Sequence, residues 1–248
     1  MLNYPQKVFN SALDIIFPKV CLGCGKFATV GGFDYICRKC FGGIELKNTL
    51  ECIGCKRKTK FGLTCIFCER DNSVDQLIIA SELSDPLTDK MIKAYKYKFI
   101  PVLSEPLSAM AKKSVKKLLR KGFNLFDGNP LLAAVPLHRT RLNERGFNQS
   151  WLIAKEIADT FHISSDKNAL SKKYNFKHQA DTKSREERLN NVRGNFAVVN
   201  AGAVKNRTVI LVDDICTTGA TLNECARVLK ESGARRVVGF VIARGQFK

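Results

Sequence analysis

Two adjacent carboxylates beside a threonine-rich turn, between Val209 and Leu222, carry the clearest chemistry in this chain. The four apolar residues from Val209 to Val212 indicate a strand buried on both faces, as in a parallel sheet. We expect that strand to end at Asp213 and Asp214, and a helix to begin near Ala220. The turn that joins them consists of Thr217, Thr218, Gly219, Ala220 and Thr221.

This turn favours the binding of a sugar phosphate. Its backbone N–H groups and hydroxyls can face a phosphate, and the dipole of the following helix attracts negative charge. Carboxylates prefer sugar hydroxyls or hydrated Mg²⁺, and open α/β sheets bind ligands at this edge. The alternative is a capped helix after a buried strand, with solvated aspartates. The sequence contains neither a Gly-Lys-Ser/Thr P-loop nor a Gly-x-Gly-x-x-Gly turn, which excludes those two phosphate sites.

The first third of the chain carries a second kind of chemistry, since eight of the ten cysteines form four Cys-x-x-Cys pairs there. The pairs are Cys21/Cys24, Cys37/Cys40, Cys52/Cys55 and Cys65/Cys68. Four such pairs supply two closed Cys₄ sites, which predicts two structural zinc ions. Sequential pairing fits two small ribbons in tandem, and an interleaved pairing stays open.

Disulfides or redox pairs are the alternative to zinc, and disulfides require an oxidising compartment. The N-terminus from Met1 to Val20 lacks the apolar run and cleavage site of a signal peptide. Val8, Ala12, Ile15 and Ile16 instead follow helical spacing, which predicts a short amphipathic helix. No segment is long and apolar enough to cross a membrane, so we expect a cytoplasmic protein.

The net charge of +18, from 41 basic and 23 acidic residues, is large for 248 residues. Basic residues concentrate at Lys90 to Lys98, Lys112 to Lys121 and Lys167 to Arg193. This excess indicates affinity for polyanions, with non-specific binding of nucleic acid as one form of it, although solubility alone would also account for it.

The order of predicted elements after the cysteines defines the fold class. Strands are expected at Gln76–Ser81, Leu131–Pro136, Phe196–Val199, Val209–Val212 and Val237–Ala243, and helices at Leu87–Tyr97, Leu103–Leu119, Asn148–Phe161 and Leu222–Ser232. This alternation predicts an α/β fold with a mainly parallel, doubly wound sheet. The expected division is a lead helix (1–19), a double zinc ribbon (20–70) and an α/β domain (71–248).

A basic segment between the predicted strand at Leu131 and the helix at Asn148 is a second candidate for ligand binding. It is expected to form a loop from His138 to Gly146, and it carries Arg139, Arg141 and Arg145. Like charges at this density favour a bound anion such as pyrophosphate, and a solvated basic turn is the alternative.

Nearly the whole chain resembles a known family. The segment from Val209 to Leu222 resembles the motif by which type I phosphoribosyltransferases bind 5-phosphoribosyl 1-pyrophosphate (PRPP). The complete set of motifs resembles the ComF (competence protein F) and GntX-like family. Besides the segment from Val209 to Leu222, the motifs of this set are a double zinc ribbon, Met-Ile-x-x-Tyr-Lys-Tyr at Met91 to Tyr97, and Arg-x-x-Glu-Arg-Gly-Phe-Asn-Gln at Arg141 to Gln149.

The resemblance implies roles for individual residues. Asp213 and Asp214 would hold the ribose 2′- and 3′-hydroxyls, and the turn from Thr217 to Thr221 would hold the 5′-phosphate. The family's mobile loop is matched by Gln179, Arg188, Asn191 and Phe196, with Arg188 as a catalytic cation alongside the aspartates. Where the family tends to have Arg, this chain has Lys172 and Lys173, and lysine does not make a bidentate phosphate contact.

The resemblance also implies a reaction, which is transfer of phosphoribosyl from PRPP with Mg²⁺ to an unknown acceptor and release of pyrophosphate. Purine-salvage relatives carry an Asp general base where this chain has Thr217. Whether the chain is an enzyme therefore stays open. The alternative function is a non-catalytic, PRPP-responsive, single-stranded DNA-binding protein of natural transformation, with competence-machinery proteins as partners.

Overall fold

The computed structural model describes residues 19–27, 32–173 and 192–245. Positions 1–18 of the expected lead helix lie outside these ranges. Gln179, Arg188 and Asn191 of the expected mobile loop also lie outside them.

A five-stranded, fully parallel sheet forms the centre of the molecule, in the order β1-β7-β6-β2-β3. The strands are β1 (Gln76–Glu82), β2 (Leu131–Ala134), β3 (Ser164–Asp166), β6 (Thr208–Cys216) and β7 (Arg236–Arg244). Their central residues are buried, because helices cover both faces. A small antiparallel pair, β4 (Leu170–Lys172) and β5 (Phe196–Val198), lies beside this sheet.

Seven α-helices accompany the strands in the described part of the chain. They are α1 (Arg38–Gly42), α2 (Pro86–Tyr97), α3 (Ser104–Arg120), α4 (Arg139–Arg145), α5 (Gln149–Phe161), α6 (Ala201–Val204) and α7 (Ala220–Glu231), with 3₁₀ turns at Lys60–Gly62 and Pro101–Leu103. Helices α3 and α5 pack together on one face. The β6-α7-β7 crossover runs across the sheet in the opposite direction, so right-handed connections place α7 on the other face. The predicted α/β, doubly wound fold is confirmed.

Two local predictions were wrong. The segment from His138 to Gly146 is not a loop, because helix α4 occupies Arg139–Arg145. The Nδ1 atom of His138 accepts a hydrogen bond from Thr140 N–H at the start of this helix, and Gly146 ends it with a left-handed φ of 74°. The short strands β3 and β4 were not expected, since Ser164–Asp166 and Leu170–Lys172 lack the apolar character of the other strands.

Strand β6 also continues farther than expected. It does not end before the acid pair but runs to Cys216, because β7 remains paired with it at Asp213, Ile215 and Cys216. Its other neighbour, β2, stops pairing after Val135, whose N–H donates to Val212 O. The next residue is Pro136, which has no N–H to continue the ladder. Beyond Val212, β6 therefore has a strand partner on one side only.

The cysteine-rich segment packs on the same core as the sheet. Ile36, Leu50 and Ile53 are buried in one hydrophobic cluster with the residues of β1, β6 and β7. The predicted domain boundaries at 19/20 and 70/71 stay a prediction. No helix among the described residues has both the length and the apolar character needed to cross a membrane.

Candidate functional site

The acid pair lies on the half-paired end of β6. Asp213 Oδ1 accepts hydrogen bonds from Ser150 Oγ and from Asp214 N–H, each at 2.9 Å. Asp214 is 5% exposed, and its Oδ1 is 2.8 Å from Lys96 Nζ. Because neighbouring residues of a strand point to opposite faces, each carboxylate meets a different set of partners.

The electrostatics of the pair make one carboxylate easy to protonate. Burial, followed by the charge of Asp214, raises the pKa of Asp213 to about 7 from an ordinary value of 3.8. Lys96 and the Ser150 hydroxyl oppose this rise. A cation or a set of hydroxyl donors placed against Asp213 would therefore favour its ionised form.

Two helices deliver the partners of the acid pair. Lys96 lies in the last turn of α2 and Ser150 in the first turn of α5. The helices are joined by the buried Tyr95, whose hydroxyl donates to Gln149 O at 3.1 Å. Asn148 caps α5 and donates from Nδ2 to Val135 O. The family motifs at Met91 to Tyr97 and Arg141 to Gln149 thus meet at the acid pair.

The three arginines of α4 do not share one environment. Residues four apart lie on one face of a helix, whereas residues two apart point in nearly opposite directions. Accordingly Arg141 and Arg145 are partly buried and Arg139 is exposed. Arg145 Nη1 donates to Gln149 Oε1 at 3.1 Å, and its guanidinium lies 6.0 Å from the centre of the Tyr97 ring. Burial lowers the pKa of Arg145, while the Asp214 charge opposes that effect.

Lys172 brings a further cation to this edge. Burial and then the charge of Arg141 lower its pKa, whereas Cys225 and Asp213 oppose the change. Its ammonium lies 5.4 Å from the centre of the Phe196 ring. Lysine stands here where the family tends to have arginine, and it still contributes a positive charge to the surroundings of the acid pair.

The threonine-rich turn leaves the start of a twelve-residue helix accessible. Gly219 occupies the N-cap position of α7 with φ 84°, so the N-cap residue itself has no side chain to cap the helix. Thr218 Oγ1 accepts from Ala220 N–H at 3.3 Å. A small concavity is lined by this turn together with Asp213, Ile215 and Cys216. The backbone N–H groups at the start of α7 and the threonine hydroxyls of the turn suit a phosphate.

Ile53 of the cysteine-rich segment packs directly under this turn and forms its floor. A Cβ added to Gly219 would lie 2.8 Å from Ile53 Cγ1, so only glycine fits at that distance. The Ile53 carbonyl accepts from Arg244 Nη2 at 2.7 Å, and Arg244 Nε lies 3.0 Å from Glu51 Oε1. Arg244 is 3% exposed and is the register partner of Cys216 at the end of β6. No local pattern of residues signalled this long-range contact.

A second link joins α7 to the chain directly after the second cysteine cluster. Asn223, one turn into α7, accepts from Ser73 N–H and donates from Nδ2 to Asp71 O at 3.0 Å. The cysteine-rich segment therefore contacts the turn, and the residues that follow it hold the helix.

The eight cysteines form two clusters in sequential order. The first module comprises Cys21, Cys24, Cys37 and Cys40, and the second comprises Cys52, Cys55, Cys65 and Cys68; within each, all thiols lie within 4.8 Å of one another. The Sγ separations are 3.9 Å for Cys24 and Cys37 and 3.7 Å for Cys55 and Cys65. A zinc ion with Zn–S bonds of about 2.3 Å requires tetrahedral edges of about 3.8 Å, so both clusters fit structural zinc.

Each module holds one thiol ready to ionise. Burial works against ionisation of Cys21 and Cys52, but backbone N–H donors outweigh it and lower their pKa values to about 6 and about 7. Hydrogen bonding to Cys37 and burial raise the pKa of Cys40 to about 12, and burial with hydrogen bonding to Cys65 does the same for Cys68. Backbone N–H groups thus prepare the thiolates that a metal requires.

The two remaining cysteines are not exposed nucleophiles. Cys216 and Cys225 are buried, and burial raises the pKa of both, that of Cys216 to about 11. Their expected role as small packing residues agrees with this environment.

The structure therefore gathers most of the predicted site residues. Asp213, Asp214, Arg141, Arg145 and the turn lie at one edge of the sheet, whereas Arg139 points to solvent and Arg188 lies outside the described residues. Lys96 and Ser150 were missed as site residues. Lys96 stands inside the Met91 to Tyr97 motif and Ser150 follows the Arg141 to Gln149 motif, so their positions were visible but their partners were not.

Comparison with known proteins agrees with this arrangement. A family model described as phosphoribosyl transferase domain matches residues 149–245, which contain the acid pair and the turn. Competence protein F of Haemophilus influenzae is 24% identical over 230 residues, covering 86% of this chain and 98% of that protein. The chain is thus similar to a competence protein over most of its length and contains a region that matches the phosphoribosyl transferase domain.

Two further relatives match most of this chain. Competence protein ComFC of Bacillus subtilis is 29% identical over 210 residues, with 78% of this chain and 83% of that protein covered. The DNA utilization protein YhgH of Escherichia coli is 27% identical over 230 residues, with coverages of 92% and 97%. A match over 92% of the chain includes residues of both the cysteine modules and the sheet.

Proposed function

We propose that the chain binds PRPP with Mg²⁺ at the end of β6. One observation carries this proposal. Two carboxylates and the N-terminus of α7, whose N-cap residue has no side chain, lie together at the end of β6 that is paired on one side only. Asp213 and Asp214 would hold the ribose hydroxyls, and the turn from Thr217 to Thr221 would hold the 5′-phosphate.

The cations at this edge supply the counter-charge for the pyrophosphate. Arg141, Arg145 and Lys172 would face it, and Mg²⁺, when bound, would add positive charge there. We keep Arg139 and Arg188 as proposed ligands of the same group. Lys96 forms an ion pair with Asp214, and that pair would have to be kept or broken when the carboxylate meets the sugar.

If transfer takes place, the C1′–oxygen bond of PRPP breaks and pyrophosphate leaves with the bonding electron pair. An acceptor nucleophile forms the new bond to C1′ and loses its proton to solvent or to a base. Thr217 cannot serve as that base, because its hydroxyl does not titrate near neutral pH. The described residues at this edge thus support PRPP binding more strongly than they support a particular acceptor.

A second candidate function is PRPP-responsive binding of single-stranded DNA without transfer. The absence of a carboxylate at position 217 and the net charge of +18 favour it. The names of the relatives extend, as a proposal, to natural transformation, DNA uptake and competence-machinery partners. Two structural zinc ions and free thiols support a cytoplasmic location in the same proposal.

Calorimetric titration with PRPP, with and without Mg²⁺, tests the binding site. The double variant Asp213→Asn/Asp214→Asn should lose binding, and Asp159→Asn, which removes an exposed carboxylate of α5, should retain it. An acceptor screen for pyrophosphate release then separates transferase from binding protein. Unchanged PRPP binding by the double variant would refute the site.

A further inference from the structure

The tip of the second module presents the most exposed large apolar side chain in the described part of the chain. Phe67 is 79% exposed and Ile66 is 72% exposed, and both lie between the paired cysteines Cys65 and Cys68. This knuckle is rigid, because the Cys65 carbonyl accepts from Cys68 N–H at 2.8 Å and from Glu69 N–H at 3.1 Å. Two adjacent apolar side chains are thus held out in water on a fixed platform, which indicates a binding surface.

Positive charge surrounds this platform. Five exposed basic residues lie in this module or directly after it, against two exposed acids, Glu69 and Asp71. The basic residues are Lys56, Arg57, Lys58, Lys60 and Arg70. None of these five makes an ion pair with any other residue that the structure describes. The two knuckles meet at the Cys₄ cluster, so these cations and Phe67 share one small surface.

We propose that this surface, formed by the five cations with Ile66 and Phe67, binds single-stranded DNA. An exposed ring stacks on a base, and unpaired cations follow the phosphates. In a duplex the bases are stacked on each other and their faces are covered, so a protruding ring favours single strands. An acidic protein would use the cations but would give no reason for a protruding aromatic side chain among them.

This binding surface reaches the edge of the PRPP site through Lys56 alone. Its residues take no part in the turn at Thr217 to Thr221 or in the acid pair, but the charge of Lys56 acts on Cys216, which lines the concavity beside the turn. The inference rests on the second candidate function, the binding of single-stranded DNA, and does not require PRPP. The net charge indicates affinity for polyanions without saying where they bind. The proposal places that affinity on the second module.

Fluorescence anisotropy with a labelled oligo-dT strand tests the proposal on the full-length, zinc-loaded protein. Phe67→Ala should weaken binding about ten-fold. Phe27→Ala is the matched control, since Phe27 is a 66% exposed aromatic residue of the first module, and it should change affinity less than two-fold. Arg57→Glu with Lys58→Glu should lower the slope of log K against log salt by about 0.7 for every phosphate that the variant no longer neutralises.

Phe67→Trp gives a direct readout that does not depend on loss of binding. It should keep the affinity within about three-fold, and its fluorescence should be quenched on addition of oligo-dT, because indole also stacks on bases. Zinc content, melting temperature and PRPP titration should be unchanged in these variants. The proposal is overturned if Phe67→Ala behaves like Phe27→Ala, if the fluorescence of the Phe67→Trp variant does not respond, or if duplex DNA or oligo-rU binds ten-fold more tightly than oligo-dT.

Discussion

The two cysteine modules have the same ligand chemistry and different neighbours. In the first module, a Cβ on Gly23 would lie 3.4 Å from Leu87 of α2, and Lys113 of α3 lies 4.3 Å from the centre of the Phe41 ring. In the second, Ile53 lies under the turn that precedes α7 and is held by Arg244. One module therefore packs on helices away from the acid pair, and the other forms part of the candidate ligand site.

The thiols themselves do not account for this difference. Both modules contain one thiol of lowered pKa and one of raised pKa, at corresponding positions of the two sequences. The comparison teaches that a structural metal site acquires a functional role through what its backbone touches.

The largest expected effect comes from removing one ligand of each module. Cys52→Ser should lower PRPP affinity by at least about 100-fold, because the floor of the turn depends on the second cluster. Cys21→Ser should reduce the melting temperature and change PRPP affinity less than about three-fold. Calorimetric titration and zinc content per chain measure the two effects, with circular dichroism to verify that each variant is folded. Equal losses of affinity would remove the distinction between the modules.

A smaller effect is expected at the buried guanidinium. Arg244→Ala should destabilise the protein by about 3–5 kcal/mol, since it leaves Glu51 and the Ile53 carbonyl without their partner. Lys113→Ala, which removes an exposed cation–π contact of the first module, should cost about 0.5–1 kcal/mol. Urea unfolding followed by circular dichroism measures both values. A cost below about 1 kcal/mol for Arg244→Ala would contradict its bridging role.

Two glycines isolate the contact under the turn. Gly219→Ala adds a methyl group against Ile53 and also strains a left-handed backbone. Gly25→Ala in the first module causes backbone strain only, because nothing lies within 4 Å of the added Cβ. Both should lose about 1–3 kcal/mol of stability, with the larger loss at Gly219. Gly219→Ala alone should weaken PRPP binding, and adding Ile53→Ala should restore part of it. If the second substitution gives no recovery, Ile53 does not support the turn.

A pH-dependent effect is expected at the acid pair, which lies beside the second module and apart from the first. The folded state raises the pKa of Asp213 to about 7, so between about pH 4 and pH 7 it holds a proton that the unfolded chain releases. The Asp213 contribution to the free energy of unfolding therefore falls as pH rises, by at most about 1.4 kcal/mol per pH unit, and levels off above pH 7.

Asp213→Asn should remove this contribution, so its unfolding free energy relative to the native sequence should increase from pH 4 to pH 7. Asp159→Asn serves as the control and should follow the native pH dependence. Urea unfolding across this pH range measures the difference. A difference between Asp213→Asn and the native sequence that does not change with pH would contradict the raised pKa.

Local features were predictable from the sequence. The Cys-x-x-Cys spacing indicated the sequential clusters, and the apolar run from Val209 indicated the buried strand before the acid pair. The helix at Arg139–Arg145 was missed because its charges obscured any apolar periodicity. The end of β6 was placed too early because strand length depended on a partner, β7, more than twenty residues away.

Contacts between distant segments were beyond a reading of the sequence. Ile53 lies between two cysteines of a Cys-x-x-Cys pair, and Arg244 lies at the end of the last strand. Neither position belongs to a pattern that predicts a contact with the other. Their meeting beneath Gly219 depends on how the cysteine-rich segment packs on the sheet, which no local pattern encodes.

The unequal lengths of two neighbouring strands leave one flank of β6 without a strand partner. From Asp213 to Cys216, beyond the last residues that β2 pairs with it, β6 advances about 10 Å. A few additional paired residues after Ala134 would place backbone along that flank of the acid pair. The missing N–H of a single imino acid, Pro136, thus keeps the flank free of a ladder.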